Sequence, residues 1–182
     1  MILLSSHWIR LAAALLLGGA ALGLSGCDET VAGSAGSTPQ RVADAGKLQP
    51  APTKAAVTTD QAMTLFKDLC VQSYPSKARF AAAAQRQGFA QNASGDWYHP
   101  KLDASARWAG GDGGTCGMLI GSRQGALEVG TGIAIVATRD GQIGADAASG
   151  VLITKGPAGS KFSFVPVGKT GRYYFAVALS KD

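Results

Sequence analysis

Histidine is almost absent from this chain: two residues, His7 and His99, among 182. His7 lies in an N-terminal segment with the pattern of a removable signal, so histidine chemistry in the mature protein rests on His99 alone. A serine–histidine–acid triad would have to run through that one ring, with a hydroxyl on one side and an acid on the other. Cysteine is also scarce, three residues with no Cys-x-x-Cys pair, which leaves a zinc site of the usual Cys- or His-rich kind short of ligands. We therefore expect no metal and no cofactor. A complete phosphate loop is missing: Gly168-Lys169-Thr170 has Ser163 where the first glycine is required, and it lies between two strand patterns. Gly130-Thr131-Gly132 lacks the third glycine of a dinucleotide fingerprint. No internal repeat is visible. No run of about 20 apolar residues, the length a membrane-spanning helix needs, occurs anywhere.

Among the features present, the N-terminus is the most specific. Arg10 precedes an apolar stretch from Leu11 to Gly23, interrupted only by small residues, and Asp28 and Glu29 end it. A positive n-region, an apolar core of this length and small residues at its end make a secretory signal. Its last residues, Leu24-Ser25-Gly26-Cys27, place a cysteine directly after a leucine and two small residues. This motif, which covers residues 1–28 only, resembles the processing site of bacterial lipoproteins. The resemblance implies cleavage between Gly26 and Cys27, a diacylglycerol on the Cys27 sulfur, and acylation (a palmitate-type chain) of the new amino group. Each buried CH₂ contributes about 0.8 kcal/mol, so two or three chains hold durably where one does not. The first partner is thus membrane lipid. In enteric bacteria an aspartate at the position of Asp28 marks retention in the inner membrane, which favours that membrane over the outer one. The expected location is the cell envelope, facing the periplasm.

From Asp28 to Thr58 there is no aromatic residue, and Ala, Gly, Ser, Thr and Pro dominate. A segment this poor in apolar bulk cannot offset its ordering entropy. We expect residues 27–58 to be a lipidated tether, spanning about 30 Å as a flexible coil. Residues 59–182 then form one domain, long enough for a self-sufficient core.

The domain reads as α+β: two N-terminal helices packed on a mostly antiparallel sheet, with one disulfide. Thr59 or Asp60 can cap a first helix in which Ala62, Met63, Leu65, Phe66, Leu69 and Cys70 recur at three- and four-residue spacing, ending at Tyr74-Pro75. Ser76 can cap a second, through Gln87, with Gly88 at its end and a small-residue face from Ala81 to Ala84. Leu102, Ala104, Ala106 and Trp108 alternate with polar residues, as in a half-buried strand. The turn Gly110–Gly114 leads into a strand through Cys116, Met118 and Ile120. Further strands are expected at 132–138, 151–154, 161–167 and 172–180. Pro166 points to an edge strand, since proline donates nothing to a ladder. Residues 124–129 fit no element.

With Cys27 lipidated, Cys70 and Cys116 form an even pair in an oxidising compartment and are expected to be bonded to each other. Two buried free thiols and a redox pair are the alternatives, the latter disfavoured by the spacing.

Candidate chemistry is sparse. Asp96, Asp103, Asp112, Asp140 and Asp146 could supply a carboxylate pair for glycoside hydrolysis, but the requirement is a distance in space that no sequence spacing encodes. Asn92-Ala93-Ser94 matches a glycosylation sequon. Trp97, Tyr98, His99 and Arg107, with Trp108 nearby, form a possible binding face, because aromatic rings beside an arginine are common in both cores and recognition surfaces. In the strand alternation Trp108 falls on the core side, and Trp97 or Tyr98 is expected beside the turn, exposed. From Thr59 onward 13 Lys and Arg stand against 9 Asp and Glu, a net of +4, spread without a basic stripe. Nucleic acid is therefore not an expected partner.

These observations favour a non-enzymatic accessory or adaptor whose partner is an envelope protein or polymer. An inhibitor or ligand-capture domain directed at envelope enzymes or glycans is the first alternative, and an envelope hydrolase the second. The sequence leaves the oligomeric state open.

Overall fold

The computed structural model describes residues 47–138, 144–146, 151–169 and 171–181. Gly26, Cys27, Asp28, the tether up to residue 46, Asp140 and Thr170 lie outside the described residues.

The first helix, α1 (Thr59–Phe66), is capped one residue earlier than the pattern suggested. The Thr58 hydroxyl accepts from the Gln61 amide, and the Gln61 side chain accepts from the Thr58 amide. This reciprocal arrangement satisfies two of the amides that a helix start leaves unpaired. A π-helical turn, Lys67–Val71, continues it and carries Cys70. Ser76 caps α2 (Lys77–Arg86), and Gly88, at φ +80°, takes the left-handed conformation that ends it. Among the described residues eight strands form one antiparallel sheet: β1 (Ala90–Gln91), β2 (Trp97–Tyr98), β3 (Ala104–Ala109), β4 (Thr115–Ser122), β5 (Gly144–Asp146), β6 (Val151–Lys155), β7 (Ser160–Lys169) and β8 (Tyr173–Lys181). Their spatial order is β1-β2-β3-β4-β8-β7-β6-β5. The fold is α+β, as the element pattern requires.

One strand expected from the sequence is instead a helix. Residues 126–137 form α3, which takes in most of the unassigned stretch 124–129 and most of the strand expected at 132–138. Ile133, Ile135 and Val136 favour strands, but Val129, Gly130, Gly132, Ile133, Ala134 and Ala137 are the buried positions, and their three- and four-residue recurrence is helical. Gly132 lets α3 lie close to α1: a Cβ there would sit 2.7 Å from Thr59 Cγ2 and 3.0 Å from Met63 Sδ.

Pro166 also needs correcting, because β7 lies between β6 and β8 and is not an edge strand. The last β6 partner is Leu152, opposite Phe164, so Pro166 lies past the end of β6 beside a bulge, where no β6 carbonyl needs its missing N–H.

The helices and the helix-facing side chains of the sheet close one core around Phe66, Phe80, Met118, Ile120, Ile133, Phe162, Phe164 and Phe175. Cys70 and Cys116 are bonded in it, with Cα atoms 5.6 Å apart, joining the π-helical turn to β4. The glycine-rich turn is fixed to the helices as well. The Gly113 amide donates to Pro75 O, and Asp112 accepts from the Lys77 amide.

The domain begins before Thr59. Residues 47–58 form a strap laid over the sheet, and Leu48 and Val57 are both 1% exposed. Ala55 bridges Leu102, and the Val57 amide donates to Gly121 O at 2.8 Å. Two apolar side chains and a set of tertiary hydrogen bonds suffice to order a stretch whose composition reads as linker.

Candidate functional site

The sequence-derived face divides in two, because successive residues of a strand point to opposite sides. Trp97 turns inward: it is 5% exposed, packs edge-on against Phe80 with ring centroids 6.4 Å apart, and corrects the expectation of an exposed ring beside the turn. Trp108 is core as expected, its indole N–H donating to Gly111 O at 2.9 Å. Tyr98 and His99 are half-buried elsewhere.

Trp97 and Arg107 meet at a shallow cleft of about 200 Å³ between α2 and the β1–β2 hairpin. Phe80, Trp97 and Trp108 make its apolar floor, and Lys77, Gln91 and Ser94 stand at its rim. Arg107 grips Asp96 through two parallel contacts, Nε to Oδ1 and Nη2 to Oδ2, the latter 2.7 Å. Such a fork fixes both side chains in orientation. The hairpin that presents Asp96 is itself fixed by Asn92, whose side-chain oxygen accepts from the Ser94 and Asp96 amides. The asparagine of the Asn92-Ala93-Ser94 sequon thus builds the turn. An aromatic floor under a rigid polar rim suits recognition of a ligand with one apolar face and polar edges.

His99 does not line this cleft. Its Nδ1 accepts from the Lys101 and Leu102 amides at 3.2 and 2.9 Å, and its ring lies against Phe89. Two amides on Nδ1 place the proton on Nε2. A triad histidine needs the opposite arrangement, with Nδ1 donating to an acid. Burial, then Lys54, then Lys101 push the imidazole pKa below its ordinary value.

Asp96, Asp103 and Asp112 each serve a separate contact. Asp96 belongs to the cleft, and Asp112 holds the start of α2. Asp103, 3% exposed, is the hub of a separate cluster. It accepts from Arg172 Nη1 at 3.1 Å, from the Tyr174 hydroxyl at 2.9 Å and from the Ala51 amide at 2.7 Å. Arg172 reaches on to Pro52 O and Lys54 O, which fastens the strap. Sequence reasoning missed Arg172 and Tyr174, since partners about 70 positions apart leave no local signal.

Among the described residues no group of three His, Cys, Asp or Glu side chains could hold a metal ion, and no helix is long and apolar enough to cross a membrane. Compared with family models, curated proteins and solved structures, the chain matches none.

Proposed function

We propose that this chain is an envelope lipoprotein, anchored through acylated Cys27 and facing the periplasm, whose α+β domain acts as a non-catalytic binding module. The anchor is supported by Leu24-Ser25-Gly26-Cys27 at the end of a secretory signal. Asp28 favours the inner membrane. The observation that carries the binding reading is the cleft, with its Phe80, Trp97 and Trp108 floor and its rim fixed by the Asp96–Arg107 fork. The non-catalytic reading is supported by His99, whose Nδ1 already serves two backbone amides. The partner that suits such a module is an envelope protein or polymer. A membrane tether raises the local concentration of the domain near such partners.

Crosslinking in intact cells, with capture of the tagged full chain and mass spectrometry, tests this reading. The expected result is a recurrent envelope partner, lost when the domain is replaced with the anchor kept. Ala81→Trp, which fills the cleft from α2, should lose the same partner. Equal capture by the domain-replaced chain would overturn the binding reading, and equal capture by A81W would remove the cleft from it.

A further inference from the structure

The geometry points to the strap, residues 47–58, as an acid-released latch, with His99 as the group that senses pH. The strap is held by the loop 99–103. The Lys54 ammonium donates to His99 O at 2.6 Å, the Ala55 amide to Lys101 O at 3.0 Å, and the Asp103 amide to Ala55 O at 2.7 Å. The Asp103 carboxylate adds the contact to the Ala51 amide. That loop takes its shape from His99, whose Nδ1 lone pair accepts both the Lys101 and the Leu102 amides.

Protonation of the ring puts a hydrogen on Nδ1 and removes the acceptor that these two amides share. Imidazolium has two donors and no acceptor. Amides left facing an N–H lose their bonds and repel it, so the loop must reshape, and the three backbone and lysine contacts to the strap reshape with it.

The surroundings act in the same direction. The charges that bear on the ring are Lys54, from the strap, and Lys101, from the loop, and both are cations. The Phe89 ring packs against it at 82°, with centroids 5.2 Å apart. Asp103, the carboxylate of the adjoining cluster, is paired with Arg172. A third positive charge therefore meets two lysines and a hydrophobic wall. Because the closed latch disfavours the protonated ring, the open state binds the proton more tightly. Latch strength is then full above the ordinary histidine pKa, and it falls as pH drops below that value toward the lowered one. Opening would free twelve more residues for the tether. That consequence for reach rests on the membrane-anchor reading, whereas the latch itself does not.

Hydrogen exchange on the purified full chain tests the latch without any membrane. Protection of the Ala51, Ala55 and Val57 amides, corrected for intrinsic exchange, is followed from pH 7.5 to pH 5. The expected result is constant protection above about pH 6.5, then a fall of up to about tenfold per pH unit. His99→Asn keeps a side-chain acceptor near the Nδ1 position but does not titrate, so its strap protection should stay flat with pH. Flat protection in the unmodified chain, or the same fall in H99N, would overturn the latch. Nitrogen NMR of the His99 ring needs no variant: Nε2–H is expected at pH 7.5, and Nδ1–H would contradict the latch.

Discussion

Gly121 shows how tightly the Asp103 cluster is built. A Cβ on it would sit 2.3 Å from Asp103 Oδ2 and 2.8 Å from Tyr174 Cε1, so the carboxylate occupies the space that a side chain would need. Gly121→Ala should therefore destabilise the domain by about 1–3 kcal/mol, as overpacking does, with little change in the slope of urea unfolding. An unchanged urea midpoint would mean that the cluster can move aside. Tyr174 offers an alkaline test. Burial, then the hydrogen bond to Asp103, then its charge raise the phenol above its ordinary value, which outweighs the opposing pull of Arg172. The unfolded chain loses this proton first as pH rises. The contribution is thus fully present below about pH 10 and is lost as pH climbs through the folded value. Tyr174→Phe should show a shallower fall in melting temperature across that range, and an identical fall in both proteins would assign the loss to other groups. None of this cluster was legible in the sequence as a cluster. Asp103 showed only as a polar residue in a strand alternation and as one of five aspartates without an identifiable partner.

The elements were more legible where the signal was local. The cap at Ser76, the glycine-rich turn and the β7–β8 pairing follow from neighbouring residues, whereas the first cap, at Thr58, lies one residue before the Thr59 or Asp60 that the pattern pointed to. The α3 helix was not legible as a helix because its β-branched residues and glycines mimic a strand, while its burial against α1 depends on tertiary contact through Gly132. The bond between Cys70 and Cys116 was legible by elimination. It closes a separation of 46 residues, for which chain entropy gives about 4 kcal/mol of stabilisation. Cys70→Ala combined with Cys116→Ala should lower stability by about that amount while leaving the far-ultraviolet circular dichroism unchanged below the new melting point. A loss under about 1 kcal/mol would mean that the core around Phe66 and Met118 already restricts the unfolded chain.

At the scale of the whole molecule, the domain takes in part of what composition assigns to the tether. Between Asp28 and Thr58 the large apolar residues are Val31, Val42, Leu48 and Val57, and the last two are buried in the domain. The last part of that segment, residues 47–58, is held by specific hydrogen bonds with Asp103, Arg172 and Gly121, which no composition argument can see. The candidate site was half legible for a related reason. Trp97 and Arg107 meet at the cleft, but His99 belongs to the loop that holds the strap. The proposal that this domain works at a membrane, attached through Cys27, turns on one modification. The most direct measurement is the intact mass of the chain extracted from the membranes of the cells that make it. The expected result is a mature protein that lacks residues 1–26 and carries a diacylglycerol on Cys27, with Cys27→Ala shifting the protein out of the membrane fraction. A full-length chain, or a cleaved chain with an unmodified Cys27 thiol, would contradict it.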